Sequence, residues 1–150
     1  RRVLFRSVAR LANWASARKN TPLRKLLEAI AEIDAEAELP KYHSKTATDL
    51  LATPFAPDPA GPAFGQRKAA LYATCFVDYN APDTAVAAAK VLAKQGVEAK
   101  LVYPECCGMP QLESGDLANV AGRAERVAKA FAPYIEQGYE IVAQIGRAHV

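Results

Sequence analysis

The residues of this chain best suited to chemistry are its three cysteines, Cys75, Cys106 and Cys107. Two of them are adjacent, in the run Pro104-Glu105-Cys106-Cys107-Gly108-Met109-Pro110, which continues as Gln111-Leu112-Glu113-Ser114-Gly115-Asp116. Neighbouring cysteines can aim two sulfurs at one locus where the backbone turns sharply, and Gly108 supplies the permissive backbone for such a turn. The flanking prolines lack amide donors, so the run is predicted to be a loop and not the interior of a strand. A thiolate-rich loop selects soft metals, and thiolates serve zinc and iron–sulfur centres alike. Taken alone, Cys75 reads as a small buried hydrophobe. Cys106 and Cys107 alone read as an idle pair or a vicinal disulfide.

Other chemistries find less support. A cysteine hydrolase needs a histidine base, and His43 lies far upstream in a polar stretch where solvation is expected. No glycine-rich dinucleotide fingerprint, phosphate loop or HExxH zinc motif is present. Asp78, Tyr79 and Asn80 could be second-layer or quinone-site groups, but they fit a turn into a helix capped by Asn80. Glu113 and Asp116 fit complements to the positive end of a helix better than a catalytic carboxylate pair.

The spacing of Cys75, thirty residues and then Cys106-Cys107-Gly108 resembles the first part of the CCG domain, the cysteine-rich domain of the heterodisulfide reductase subunit designated B. The words Cys75-Phe76-Val77-Asp78-Tyr79-Asn80 and Cys106 to Asp116 are similar to those of the iron–sulfur subunit, designated C, of anaerobic glycerol-3-phosphate dehydrogenase and of related Fe–S oxidoreductases. The resemblance implies that Cys75, Cys106 and Cys107 are metal and cofactor ligands. It implies a [4Fe-4S]-type cluster in the full-length parent, the non-cubane kind included, with zinc as the alternative. It also implies a further pair of cysteines downstream. Three thiolates leave a cluster edge open, so the chain without that pair is expected to hold a cluster weakly.

Both ends read differently from the middle. Arg1 to Ser7 and Ile145 to Val150 look like translated sequencing adapters and are set aside as scars. Of nineteen basic residues, Arg1, Arg2, Arg6 and Arg147 belong to those ends; sixteen acidic residues all remain, so the net charge moves from +3 to near −1. The basic balance is then no argument for a nucleic-acid partner. Three cysteines make a poor disulfide framework, and a reducing compartment fits them better. No apolar run reaches the ~18 residues of a membrane helix.

The elements that must position the cysteines follow from periodicity. The predicted class is α/β: a partial CCG domain over 67–144 with short parallel strands and crossover helices. It is preceded by a helical region over 8–52 and a Pro-rich linker over 53–66, where Pro54, Pro57, Pro59 and Pro62 argue against helix or sheet ladders. In the helical region, Val8 to Ser16 is a short helix. Thr21-Pro22 starts a second, with Leu23, Leu26, Leu27, Ile30 and Ile33 on one face and Pro40 as its limit. Past the linker, Ala69–Thr74 is a strand ending at Cys75. A helix follows, capped by Asn80, with Val86, Ala89, Leu92 and Ala93 on its apolar face and Gly96 after its end. Ala99–Tyr103 is a second strand. Ser114 or Asp116 starts a helix whose stripe is Leu117, Val120, Ala121, Ala124, Val127, Ala128 and Phe131, with Pro133 kinking or ending it. Tyr139–Ala143 is a third strand. Parallel strands joined by helices bind ligands beyond their carboxyl ends. Cys75 follows one strand and Cys106-Cys107 the next, so all three belong at one sheet edge.

The functional expectation is a non-catalytic electron-transfer subunit of an oxidoreductase complex. It would pass electrons from a flavoprotein dehydrogenase subunit, such as glycerol-3-phosphate dehydrogenase, toward quinone or another acceptor. The full-length parent would reach a membrane anchor or quinone; the expected location is cytoplasmic, with a peripheral place at the inner face of the cell membrane as its variant. The alternative is a structural thiolate–zinc or subunit-docking module without redox activity.

Overall fold

A computed structural model describes the backbone of residues 2–61 and 67–143, with side chains from residue 8 onward. Seven helices and three strands occur among them: α1 (Arg2–Ala15), α2 (Thr21–Ala31), α3 (Ala47–Leu50), β1 (Lys68–Tyr72), α4 (Cys75–Tyr79), α5 (Pro82–Lys94), β2 (Glu98–Val102), α6 (Met109–Glu113), α7 (Leu117–Glu136) and β3 (Tyr139–Ala143). The class is α/β. All strand pairs are parallel and the sheet order is β2-β1-β3.

That order puts β1 in the centre and sends the two crossovers to opposite faces. Alternation along the strands divides the core accordingly. Leu71 and Ala99 face one layer, built from Ala85 and Ala89 of α5, Ala47 and Leu51 at α3, and Val77 of α4. Alanines at four-residue spacing let α5 approach the sheet closely. Ala70, Tyr72 and Val102 face the other layer, where Phe131 of α7 is buried. Burial of such an aromatic side chain contributes about 1.5–3 kcal/mol. Tyr72 meets Phe131 edge-on at 5.4 Å. Because the chain leaves β1 toward β2 and returns to β1's other side through β3, the direction of winding reverses at the carboxyl end of β1. Such a reversal is where open α/β sheets place ligands, and Cys75 lies three residues beyond Tyr72.

Several expectations shift. The first two strands each start one residue earlier than predicted and stop before Ala73 and Tyr103. Residues 75–79 are helical, not a turn: Thr74 caps them by accepting from the Val77 amide. Asn80 closes α4 instead of capping α5, and Ala81, at the start of α5, gives no side-chain cap. Thr21 is already inside α2, whose N-cap residue Asn20 makes no side-chain cap bond. That helix ends at Ala31, well before Pro40, with Glu32 left-handed at φ 54°. Pro133 neither stops α7 nor prevents its running on to Glu136. Asp116 caps α7 as expected, accepting from the Asn119 amide, whereas Glu113 falls at the end of α6, a helix without a sequence signal. The inward face of α7 carries Val120, Val127 and Phe131, while Leu117, Ala121, Ala124 and Ala128 are exposed. In the Pro-rich stretch, Phe55 forms an antiparallel bridge with Ala99, covering the outer edge of β2; residues 62–66 lie outside the described residues. The helix α1 begins within the stretch set aside as a scar, and residues 144–150 are outside the described residues.

The upstream helices present apolar residues to solvent, with Trp14 62% exposed. Arg24 is buried and donates to the carbonyls of Asp34, Ala35 and Ala37, which folds the chain back after α2. None of the described helices is long and apolar enough to cross a membrane.

Candidate metal centre

The three cysteines converge at the carboxyl edge of the sheet. Cys75 is the first residue of α4 and is half-buried; Cys106 is half-buried and Cys107 exposed in the loop after β2. All three are free thiols. Burial raises the pKa of Cys75 most, followed by charge on Cys106, hydrogen bonding between the Cys75 and Cys106 side chains, and charge on Cys107; the Phe76 amide opposes them. The Cys75 and Cys106 side chains are therefore within hydrogen-bonding reach of each other, and Cys107 is close enough for its charge to be felt at Cys75. His43, expected in solvent, is half-buried instead, and its amide donates to the Tyr79 carbonyl.

Two tyrosines wall the thiols. Tyr72 at the end of β1 donates its hydroxyl to the Glu105 carbonyl at 2.8 Å. Burial, then the charges of Cys107, Cys106, Cys75 and Glu105, push its pKa up to about 12. Burial and the charges of Cys75, Cys106, Tyr79 and Asp78 push Tyr103 up as well. Its ring meets Tyr79 edge-on at 6.5 Å. Tyr72 thus stays a protonated donor to the Glu105 carbonyl across the physiological range, and the Tyr103 hydroxyl stays protonated beside the thiols.

Each cysteine arm is held separately. The arm carrying Cys75 is the five-residue helix α4, too short to be stable alone. Segment 41–48 clamps it: the His43 amide donates to Tyr79 O, Asn80 Nδ2 donates to Lys41 O, and Thr48 donates through both its amide and its hydroxyl to Asp78 Oδ1. Asp78 is 0% exposed. The arm carrying Cys106 and Cys107 is pinned through Glu105. Arg126 makes a bidentate pair with its carboxylate at 2.7 and 2.9 Å, and Arg123 approaches to 3.5 Å. The Arg126 hydrogen bond, opposed by desolvation and reinforced by the charges of Arg126 and Arg123, holds the Glu105 carboxyl below the usual carboxylate range. Gly108 then turns the loop at φ +88°, and a Cβ there would sit 3.1 Å from Arg123 Cδ.

The donor chemistry suits a soft metal or an iron–sulfur group, since thiols are gathered with tyrosine hydroxyls beside them. The donor number is short of the four thiolates of common clusters. Among the described residues no group of three or more His, Cys, Asp and Glu is arranged to hold a metal ion. Sequence reasoning brought the cysteines to one edge but missed the walls and clamps. Tyr72 reads as one more residue of an apolar strand, and nothing in the sequence couples Thr48 to Asp78 across thirty positions or Glu105 to Arg126 across twenty-one. An open cleft of about 440 Å³ beside Phe76 is lined by Lys41, His43 and Asn80 among others.

Comparison with known proteins supplies the remaining finding. Residues 69–146 match the CCG family model, described as a cysteine-rich domain. The chain is 33% identical over 108 residues to the subunit designated C of anaerobic glycerol-3-phosphate dehydrogenase from Escherichia coli (strain K12), covering 71% of this chain and 26% of that protein. It is 30% identical over 121 residues to the subunit designated B of fumarate reductase (CoM/CoB) from Methanothermobacter marburgensis, covering 79% of this chain and 23% of that one. The chain thus spans about a quarter of the length of these relatives. No solved structure matches it.

Proposed function

This chain belongs to the CCG cysteine-rich domain family, and from that premise we propose that it is part of an iron–sulfur electron-transfer subunit of an oxidoreductase complex. The observation that carries the reading is the convergence of Cys75 with Cys106 and Cys107 at the point where the sheet reverses its winding. Cys75, Cys106 and Cys107 would hold the group, which supplies one-electron redox chemistry when bound. A [4Fe-4S] cluster needs a fourth ligand, which in this reading comes from outside the described residues.

The protein's own contribution is positioning and tuning. Burial of Cys75 limits water at one side of the site, and the hydroxyls of Tyr72 and Tyr103 set its polarity. The names of the relatives, subunits of a glycerol-3-phosphate dehydrogenase and of a fumarate reductase, support a place beside a catalytic dehydrogenase or reductase subunit. On this reading a flavoprotein subunit donates electrons, and quinone or another acceptor receives them. The location is the reducing cytoplasm, at the inner face of the membrane where the acceptor is membrane-bound. The second reading, a thiolate–zinc docking module, rests on the same donors.

Anaerobic reconstitution of the full protein separates the two. Iron and inorganic sulfide retained through gel filtration, with a reducible paramagnetic signal, are the expected result. Stoichiometric zinc with no reducible signal would overturn the electron-transfer reading.

A further inference from the structure

The three thiols differ in what they are ready to do. Cys107 is exposed, Cys75 and Cys106 are half-buried, and none is tied up in a disulfide. Cys106 is covalently next to Cys107, and its side chain is within hydrogen-bonding reach of Cys75. The thiols thus form a series that runs inward from solvent at Cys107 to Cys75.

Backbone geometry decides which pair can close. Adjacent residues have Cα atoms ~3.8 Å apart across a trans peptide, shorter than the ~4.4–6.8 Å of ordinary disulfides. A bond between Cys106 and Cys107 is therefore strained and easily reduced. Cys75 and Cys106 instead arrive from different strands. β1 and β2 run side by side, and the ~4.8 Å spacing of neighbouring strands lies within the disulfide range. The pairing carries past the strand ends. The Ala73 amide donates to the Val102 carbonyl at 3.1 Å, and the Tyr72 hydroxyl donates to the Glu105 carbonyl at 2.8 Å. The second bond ties the residue before Cys106 to the strand that leads into Cys75. Thr74 then caps α4 so that the helix opens on Cys75.

We propose that the metal-free thiols form a disulfide-exchange relay, in which Cys107 is the entry thiol and the Cys75–Cys106 pair is where the bond comes to rest. The co-reactant is a small disulfide such as oxidised glutathione. The Cys107 thiolate attacks one of its sulfurs, forms a mixed disulfide and releases one glutathione thiolate. The Cys106 thiolate attacks Cys107 Sγ and releases the second. The Cys75 thiolate then attacks Cys106 Sγ and returns Cys107 as a thiolate. Two protein thiols are oxidised to one disulfide, one glutathione disulfide is reduced to two thiols, and the two protein thiol protons end on glutathione. The end state keeps Cys75 and Cys106 from irreversible oxidation and is undone by a dithiol. The inference rests on the reading of the three cysteines as one site, but its test uses no metal, so a failure to bind iron and a failure of the relay are distinct results.

The experiment treats the reduced, metal-free, full chain with oxidised glutathione. Samples taken over time are quenched in acid, their free thiols are alkylated, and peptide mass spectrometry with fragmentation places each bond. In the unsubstituted chain, glutathione should appear first on Cys107 and then leave. The expected end product has Cys75 joined to Cys106, Cys107 alkylated and no glutathione, and dithiothreitol restores all three thiols. In Cys75→Ser the mixed disulfide at Cys107 should persist, several-fold above its peak in the parent. In Cys107→Ser the Cys75–Cys106 bond should form several-fold more slowly, because the thiols left to meet the reagent are half-buried.

A final bond between Cys106 and Cys107 in the unsubstituted chain, or glutathione retained there with no internal bond, would overturn the proposal whatever the variants do. So would a Cys75→Ser chain that sheds glutathione as fast as the parent. A Cys107→Ser chain that closes at the parent's rate would contradict the entry role of Cys107.

Discussion

The two arms that present the cysteines solve one problem with opposite physics. The Cys75 arm is a five-residue helix clamped from upstream by hydrogen bonds, foremost those from Thr48 onto the buried Asp78 acceptor. The Cys106–Cys107 arm is a loop pinned at a half-exposed carboxylate by two arginines, by one tyrosine hydroxyl and by a left-handed glycine. Buried hydrogen bonds are insensitive to salt and expensive to break. Ion pairs at the surface are weak and screened. The first arm is thus a fixed reference and the second the adjustable side of the site. The hydrogen bonds onto α4 tie segment 41–48, upstream of the family match at residues 69–146, to the arm that presents Cys75.

The largest effect is expected at the fixed arm. Asp78→Ala strips the half-buried Thr48 amide of its acceptor and the Thr48 hydroxyl of one of its two partners, and should cost about 2 kcal/mol, within the range for orphaned donors. Urea denaturation checks it, and a loss below about 1 kcal/mol would show that the upstream clamp contributes little. Next comes Gly108→Ala. A Cβ in the left-handed region costs about 1–2 kcal/mol, and this one must also displace Arg123. The same denaturation curve reads it, with faster alkylation of Cys107 as the local sign of an opened loop.

Tyr72→Phe removes one hydrogen bond while keeping the ring packed on Phe131, so the expected loss is about 1 kcal/mol at neutral pH. The pH dependence carries its own sign. The folded pKa of Tyr72 is raised to about 12, chiefly by burial, so its contribution is full below the unfolded value of about 10 and is lost as pH rises from 10 toward 12. Alkaline denaturation of the parent should steepen across that window, and Tyr72→Phe should flatten it. An unchanged alkaline limb would contradict the placement of this hydroxyl.

The smallest effect belongs to the adjustable arm. Glu105 has a lowered folded pKa, so its contribution is present above the ordinary carboxylate range and fades as pH falls through its depressed value. Arg126→Ala should leave the melting temperature nearly untouched yet make Cys107 more reactive at low salt, the difference vanishing in high salt. A large loss of stability in this variant would reverse the ranking of the two arms.

The part of this architecture visible in the sequence is the part set by local pattern. Apolar runs located the three strands, and Asp116 and Gly96 marked helix limits, because alternation and capping act over a few residues. The CCG word pointed to the family for the same reason. Thr74, the actual cap of α4, stands out less than Asn80 and Pro82, which mark the start of the longer α5 and draw the preceding residues into its entry turn. The exposed Leu117 entered the α7 stripe because spacing alone does not say which face meets the sheet. Thr48, Glu105 and Arg126 are ordinary polar residues in sequence, and Asp78 stands out only by its place beside Cys75; the winding of the chain brings their partners together over distances no local pattern spans.

The central claim is that two arms thirty residues apart build one iron–sulfur site. Iron and sulfide analysis of the anaerobically reconstituted full protein, comparing Cys75→Ser with the Cys106→Ser, Cys107→Ser pair, tests it most directly. The account predicts that Cys75→Ser alone abolishes the iron, sulfide and reducible signal contributed by this site as fully as the double substitution does. Iron and signal unchanged in Cys75→Ser would contradict it, leaving Cys75 a packing residue beside a site that the downstream arm holds without it.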